Sequence, residues 1–329
     1  MKYRQLTQTQ RYQISALRVA GKSQRQIAGI IGCHSSTVSR ELRRNSTSGY
    51  DPEHAQQQSN ARRSRAFKWH KRLQWLTEWV STRLKQHWSP EQIAGFMNRM
   101  EAPVRVSHQW IYELMRRDRL SGGNLWRYCR HRNSRGRRRS AKDAGLGKIP
   151  NRTGIEHRPK EVESRGTLGH WEGDTVLQGH KQSGVVTLVE RRSGYLLAGR
   201  LPEFTAKQTA RTVIRLLRPI RGAAQTLTLD NGSEFSEHES ITKTLNLSAY
   251  FCDPYCSGQR GTNENTNGLL RQYYPKGTNF AKLSQTHINR VVEQLNNRPR
   301  KRLGYRTPAE VFWGEYSGAL RTSGAALIV

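Results

Sequence analysis

The order of short apolar runs in the second half of the chain constrains the fold most. Three β-type runs, HWEGDTVLQ, GVVTLVERRSG and YLLAGRLPE, follow one another, with a turn at Ser193 and Gly194. An amphipathic helix capped by Thr205, a short strand TLTLD, a helix through HESITKTLN, a fifth strand SAYFC and a helix from Asn263 to Tyr273 come next. Three antiparallel strands followed by alternating helices and strands predict an α/β, ribonuclease-H-like domain of the retroviral-integrase type.

Three acidic residues lie on the strands and the helix that meet near the centre of this predicted fold. Asp174 lies on the first strand and Asp230 ends the fourth, so we expect the two to meet near the centre of the sheet. Glu264 lies on the following helix and is the only acidic residue between Tyr255 and Val292. Such oxygen ligands suit two Mg²⁺ ions roughly 3.5–4 Å apart, with Mn²⁺ as the expected substitute. We therefore predict that Asp174, Asp230 and Glu264 bind metal and catalyse phosphoryl transfer on nucleic acid.

Residues near these three acids have weaker assignments. Arg271 follows Glu264 by seven residues on the same helix face, and we expect it to hold a phosphate near the scissile bond. The alternative is that Arg271 is one more basic surface residue. Other nearby acids are expected to be supporting or structural groups, because none combines a strand end with the right interval: Glu172, Glu234, Glu237 and Asp253.

Residues 1–48 predict a trihelical helix-turn-helix that binds DNA. Thr7, Ser23 and Ser35 are the expected N-caps of its three helices. In the third helix, STVSRELRRN, Val38 and Leu42 should face the core. The alternative is a small helical bundle with a basic face. The opposite side of the third helix is expected to contact base edges and phosphates through Ser36, Thr37, Ser39, Arg40, Arg43 and Arg44.

The middle of the chain predicts more helices and a connector. A helical region over 49–120 begins with a helix at Pro52 and is expected to contain a second helix-turn-helix, with plain bundle packing as the alternative. A basic linker over 121–166 follows, rich in Arg, Gly and Ser. We expect it to be partly disordered without DNA and to follow phosphates; a solubilising linker is the alternative. The catalytic domain is predicted over 167–315, with a tail over 316–329.

Composition agrees with a nucleic-acid partner. The chain has 56 Lys and Arg against 25 Asp and Glu, a net charge of +31, which makes a polyanion the natural ligand. A ribosomal or chromatin-like protein would share that charge. Four cysteines are too few for a disulfide framework, and Cys252 and Cys256 lack a second pair, so zinc is not expected. Without an apolar run, signal peptide or amphipathic anchor, we expect no membrane partner and a cytoplasmic protein on the nucleoid.

Several motifs together resemble one known family. GHWEGDTV, TLDNGSEF, RGTNENTNGLLRQYYPKGTNF, LNNRPRKRLGYRTP, STVSRELRRN and SPEQIAG are similar to those of the insertion-sequence-thirty (IS-thirty) family of bacterial DDE transposases, over nearly the whole chain. The resemblance implies that Asp174, Asp230 and Glu264 are the catalytic metal-binding triad. It also implies that the helix-turn-helix units read the terminal inverted repeats of the element in double-stranded DNA.

The same resemblance implies a reaction and an assembly. Cleavage at the element's end would free a 3′-hydroxyl that attacks target DNA, through a circular or joined-ends intermediate and on a dimer or larger assembly. One position departs from the family pattern, since Gly258 stands where members usually have Trp. The alternative function is therefore a DNA-binding regulator of its own element with an inactive nuclease domain. A host nuclease or resolvase would not need two helix-turn-helix units.

Overall fold

The computed structural model describes residues 5–45, 49–65, 73–130, 149–177, 183–254 and 256–322. The chain divides into two compact units, Met1–Arg72 and Leu73–Val329. Most of the Arg-rich run of the predicted linker (131–148) and the end of the predicted tail (323–329) lie outside the described residues, and so does the prediction that the linker is partly disordered.

The described residues of the N-terminal unit contain four helices, α1 (Gln8–Val19), α2 (Gln24–Ile31), α3 (Ser35–Asn45) and α4 (Pro52–Arg65). As expected, Thr7 and Ser23 accept hydrogen bonds from the backbone three residues on and form capping boxes. Gly32 ends α2 in the left-handed conformation, with φ of 68°, which a glycine adopts without steric cost. The apolar side chains of α1, α2 and α3 meet in one core that contains Ile14, Ile27, Val38 and Leu42.

Two details of this unit differ from the sequence-based expectation. Ser35 is the first residue of α3 and not its N-cap; instead the ring Nδ1 of His34 accepts a hydrogen bond from the Ser36 backbone N–H at 3.2 Å. Helix α4, which was predicted to start a separate helical region, packs with α1. The buried Arg11 forms this junction, because its guanidinium contacts Glu41 of α3 at 2.6 Å and Gln56 of α4 at 2.7 Å.

The second unit begins with three helices around their own core. These are α5 (Gln74–Lys85), α6 (Pro90–Arg99) and α7 (His108–Leu120). The side chains of Ser89 and Ser107 accept backbone hydrogen bonds and cap α6 and α7. The buried side chains share the helical spacing of the sequence, and they include Leu76, Val80, Leu84, Ile93 and Ile111.

The rest of this unit is built on a five-stranded sheet. Its strands are β1 (His170–Leu177), β2 (Gly184–Glu190), β3 (Leu196–Leu201), β4 (Thr226–Leu229) and β5 (Ser248–Phe251). Their order is β3-β2-β1-β4-β5, with the first three antiparallel and β4 and β5 parallel to β1. The first and fourth strands are therefore neighbours, which confirms the predicted ribonuclease-H-like arrangement.

Helices cover both faces of the sheet. On one face lie α9 (Ala206–Leu217) and α10 (His238–Leu245), and on the other α11 (Gly261–Leu270) and α12 (Gln285–Asn296). Because strand residues alternate between faces, alternate residues of β1 point toward α11. This alternation decides which acids can reach the helix of Glu264.

Two predicted boundaries shift in the structure. Part of the predicted linker packs on the sheet: Ile149 is buried in the core, Gly154 forms a bridge to Phe251, and α8 (Glu161–Ser164) follows. A final helix, α13 (Pro308–Thr322), runs through the start of the predicted tail. The local sequence of residues 149–166 is polar and irregular, so its attachment depends on tertiary contacts that a pattern does not reveal.

Candidate active site

Helix α11 is fixed to β1 by hydrogen bonds to Glu172 and Asp174. The Asn263 backbone N–H donates to Glu172 Oε2 at 2.8 Å, and the Asn263 amide donates to the Glu172 carbonyl oxygen at 2.8 Å. One turn further, Asn267 Nδ2 donates to Asp174 Oδ2 at 2.9 Å. The amide-rich segment NENTN, a poor helix former by itself, is thus held as a helix by the strand beneath it.

Arg260 brings the two predicted aspartates together. Its Nη1 lies 3.3 Å from Asp174 Oδ1 and its Nη2 lies 2.9 Å from Asp230 Oδ2. The guanidinium also donates to the Gly173 carbonyl oxygen at 3.0 Å. Asp230 follows the last residue of β4, and its other oxygen accepts the Gly232 N–H at 3.1 Å. The parallel pairing of β1 and β4 therefore places both carboxylates around one cation.

Three carboxylates, those of Asp174, Asp230 and Glu234, lie close enough together for their negative charges to interact. Burial raises the pKa of Asp174, while Arg260 lowers it and the nearby Asp230 raises it. Burial also raises the pKa of Glu234, whose carboxylate accepts a hydrogen bond from Thr175 Oγ1 at 2.7 Å and is close enough to feel both aspartates. Glu234 was expected to be a supporting group, and it is the third carboxylate beside the pair.

Glu264 stands apart from the other two predicted ligands. It lies in the first turn of α11, is exposed, and its side chain forms no hydrogen bond or ion pair with a described residue. No three His, Cys, Asp or Glu side chains in the described ranges are placed to hold a metal ion together. The structure thus joins Asp174 and Asp230 but leaves Glu264 outside their contact.

Arg271 is the last of the predicted catalytic-domain residues. It ends α11, about 10 Å along the helix axis from Glu264 at 1.5 Å per residue. Its Nη2 is 3.4 Å from the carbonyl oxygen of Leu177 at the end of β1, and burial lowers its pKa. The proposed contact with a phosphate stays a prediction.

Arg260 is the residue that sequence reasoning missed. It lies four residues, about one helical turn, before Glu264, inside the motif RGTNEN. The sequence did contain an indication of this role, because an arginine one helical turn before the lone acidic residue of a motif indicates a functional site. Its pairing with Asp174 and Asp230 depends on a side-chain conformation across three elements, which spacing does not encode.

Glu172 has a structural role. It is fully buried and forms an ion pair with Arg191 at 2.5 Å, in addition to its bonds from Asn263. Its charge is therefore satisfied within the protein. The two acidic residues on the same face of β1 thus differ in exposure. Glu172 is buried in an ion pair, whereas the Asp174 side chain is one-quarter exposed.

The predicted DNA-contacting face of α3 is largely solvent-exposed. Val38 and Leu42 are buried as expected, and Ser36 and Thr37 are half-buried. The hydroxyl of Ser36 is 2.8 Å from the ring of His34. Ser39 and three arginines are exposed, and these arginines form no ion pair with a described residue: Arg40, Arg43 and Arg44. These cations remain available to an external anion.

The second helical group presents its basic residues differently. Arg116 and Arg117 of α7 are exposed, yet both pair with Glu113, at 2.7 and 2.8 Å. Their positive charge is partly offset on the same helix. This pairing makes α7 a weaker candidate for reading DNA than α3.

Fold and site together define a class of protein, a helix-turn-helix protein with an integrase-type core. The model of a helix-turn-helix domain matches residues 2–45, and the model of an integrase core domain matches residues 165–257. The chain is 38% identical to the transposase for insertion sequence element IS4351 of Bacteroides fragilis, over 93% of this chain and 95% of the relative. It is 38% identical to transposase InsI for IS30A of Escherichia coli (strain K12), over 93% and 82%.

A third relative is the transposase for IS1086 of Cupriavidus metallidurans, 36% identical over 94% of both chains. The chain belongs to the IS30 family of insertion-sequence transposases, as the motifs predicted. Among solved structures, the catalytic core domain of BIV integrase is similar with a TM-score of 0.37 and 22% identity, over 46% of this chain and 99% of that one.

These findings confirm the predicted transposase function and the enzyme class, and they support DNA binding through the helix-turn-helix. An integrase core domain also implies dependence on a divalent metal ion. The donor set fits such an ion, since Asp174 and Asp230 already share one cation, the Arg260 guanidinium. No helix in the described part of the chain is both long and apolar enough to span a bilayer.

Proposed function

We propose that this transposase binds the terminal inverted repeats of its element and cuts and joins DNA strands at Asp174, Asp230 and Glu264, with two Mg²⁺ ions for which Mn²⁺ can substitute. One observation carries the proposal: a single guanidinium bridges two carboxylates at the centre of the sheet. The helix of Glu264 is hydrogen-bonded to the strand of one of them. Two oxygen donors around a cation, with a third on the adjoining helix, match a two-metal phosphoryl-transfer site.

Each residue has a definite task in this proposal. Asp174 and Asp230 would hold the ions with the oxygens that now contact Arg260, and Asn267 orients Asp174 by its hydrogen bond. Glu264, exposed and unpaired within the described residues, would complete the ligand set. Bound Mg²⁺ would activate the attacking oxygen and stabilise the leaving oxygen of the phosphodiester.

DNA recognition is assigned to α3 and Arg271. The exposed Arg40, Arg43 and Arg44, with the serine and threonine residues of that helix, would contact the element's ends, and Arg271 would hold a phosphate of the cleaved strand. Water would hydrolyse the phosphodiester bond at the element's end and leave a 3′-hydroxyl. This hydroxyl would then attack a phosphodiester of target DNA, form the new P–O bond and displace the 3′-hydroxyl of the target strand. Because two ends must be processed together, we propose that the protein acts as a dimer or larger assembly. It would act on the nucleoid, in the cytoplasm.

The test uses a labelled duplex that carries the element's own end. The native chain should cleave it only with Mg²⁺ or Mn²⁺, while Asp230→Asn and Glu264→Gln should lose cleavage by orders of magnitude and keep end binding. Glu203→Gln is the matched control, because Glu203 is exposed just beyond β3, two strands away from β1. It should cleave as the native chain does.

Each other outcome has a specific meaning. Normal cleavage by Asp230→Asn would remove the metal-site assignment. If only Glu264→Gln cleaves normally, the third ligand lies elsewhere, and Glu234→Gln becomes the variant to measure. Specific binding without cleavage by the native chain would favour the regulator with an inactive nuclease domain.

A further inference from the structure

The motif LNNRPRKRLGYRTP contains basic residues that the proposed chemistry does not use. Arg298 follows α12 and is only 3% exposed. Its Nε donates to Gln92 Oε1 at 2.9 Å and its Nη1 donates to Gln272 Oε1 at 2.8 Å, so its hydrogen-bond partners are neutral. Arg300 is half-buried and donates to the Leu295 carbonyl oxygen at 3.1 Å. Neither guanidinium forms an ion pair with a described residue.

These two arginines line a cavity of about 320 Å³ with three more basic residues. Lys301 pairs with Glu91 at 2.6 Å, and Glu91 itself does not line the cavity. No carboxylate is among the described residues of the wall. The basic residues of the cavity are Arg130, Arg298, Arg300, Lys301 and Arg302.

Within the described residues, the guanidinium groups of Arg298 and Arg300 have only neutral hydrogen-bond partners. Burial lowers the pKa of Arg300 to about 9 and that of Arg298 to about 10, so both stay protonated at neutral pH. The acidic groups that act on Arg298 and Arg300 are Tyr273 and Cys129, and burial raises the pKa of each, which keeps both neutral. Arg302, by contrast, is also near Glu172 and Glu190. Burying an unpaired charge is costly, so a set of them without an anion indicates a binding site for one.

The position of the cavity relates it to the candidate active site. Asn265, which follows Glu264 on α11, forms part of the wall, and Arg130 Nη1 donates to its Oδ1 at 3.3 Å. Leu269 of the same helix also lines the cavity. A DNA strand that passes Glu264 would therefore bring a neighbouring phosphate to these guanidinium groups.

We propose that this cavity binds a backbone phosphate of the DNA strand that is processed at α11. Arg300, Arg302 and Arg130 donate to the phosphate oxygens, as guanidinium groups do in a bidentate geometry. Arg298 is a positioning residue, since its bonds to Gln92 and Gln272 hold the loop in place. This inference rests on the proposed function, and it adds a DNA contact that lies outside the helix-turn-helix.

The experiment measures how the affinity of the full chain for a labelled duplex of the element's end depends on salt, in EDTA. Each phosphate contact contributes about 0.9 to the slope of log K against log salt. Arg300→Gln and Arg302→Gln should each weaken binding and make the slope shallower by about 0.9. Between about 50 and 200 mM salt the affinity of the variant should then fall about 3.5-fold less than that of the native chain.

Two further variants separate charge from folding. Arg211→Gln is the matched control, because Arg211 is exposed on α9 at the opposite face of the sheet, and its slope should equal the native one. Arg300→Lys keeps the charge and should recover the slope. Arg302 is exposed, so its variant reports on the cavity even if Arg300→Gln unfolds. Native slopes in both glutamine variants would overturn the proposal.

A second measurement tests whether the cavity binds only small free anions and not the phosphates of DNA. If inorganic phosphate raises the melting temperature of the native chain but not of Arg302→Gln, while the DNA slopes do not change, the cavity binds free anions and the proposal fails. EDTA prevents cleavage, and Asp230→Asn should keep the native slope. Failure of the cavity proposal therefore leaves the cleavage result untouched, and failure of the cleavage assignment leaves the slopes untouched.

Discussion

Replacing Arg260 by glutamine should destabilise the metal-free enzyme and strengthen its response to Mg²⁺. The substitution removes the cation that lies 3.3 Å from Asp174 and 2.9 Å from Asp230, and it leaves two carboxylates facing each other. The aspartate side chains are 24% and 34% exposed, so their contacts fall between a surface ion pair and a buried one. We expect a loss of about 2 kcal/mol in the free energy of unfolding.

This energy corresponds to a measurable change in melting temperature. For a folding unit of this size, about 2 kcal/mol lowers the melting temperature by about 4–8 °C in EDTA. Since the guanidinium and a divalent ion compete for the same oxygens, the variant should bind Mg²⁺ more tightly. An ion at 100 times its Kd adds about 2.7 kcal/mol, so saturating Mg²⁺ should recover most of the loss.

The assay is thermal unfolding followed by near-ultraviolet circular dichroism, in EDTA and across a Mg²⁺ titration, with Mn²⁺ binding measured directly by electron paramagnetic resonance. Arg192→Gln is the matched control, because Arg192 forms a partly exposed ion pair with Glu315 that involves neither aspartate. It should lose stability but respond to Mg²⁺ as the native chain does. A variant at Arg260 that is as stable as native in EDTA, or that gains no more than native from Mg²⁺, would refute the reasoning.

Two other substitutions test DNA contacts. Arg40→Ala on α3 should weaken binding of the element's end about 5- to 150-fold. The control Arg18→Ala, at an exposed position of α1, should change the affinity less than twofold. Equal losses of affinity in a binding titration would contradict the role of α3. A side chain at Gly258 would meet open space, so Gly258→Trp should keep the native melting temperature and tighten DNA binding about fivefold by stacking on a base. Unchanged affinity would leave that aromatic without a role in this chain.

Features that depend on nearby residues were predicted well. Thr7 and Ser23 cap their helices because a side-chain oxygen reaches N–H groups only a few residues away. The faces of β1 follow from the period of two, which puts Glu172 and Asp174 on the same side. The adjacency of the first and fourth strands followed from the order of elements.

Side-chain contacts between residues that lie far apart in the sequence were not predicted. Ser35 was the expected cap of α3, whereas in the structure the ring of His34 accepts the Ser36 backbone N–H. The bridge of Arg260 joins β1, β4 and the start of α11, and no sequence interval encodes a contact among three elements. The triad of Asp174, Asp230 and Glu264 was predicted from the positions of these acids and from the motifs, while the structure brings two of its members together around a guanidinium.

The contacts of Gln92 have a consequence for exchange of parts between related elements. Its side chain accepts from Arg298 and donates to the Pro299 carbonyl oxygen at 2.7 Å, so α6 is attached to a loop more than two hundred residues later in the chain. A chimera that replaces residues 73–130 alone would break this attachment and disturb the basic cavity. Residues 1–72 form their own compact unit and should be transferable intact. Transposases with a new specificity for the element's ends should therefore be obtained by replacing the first unit and keeping the second unit unchanged.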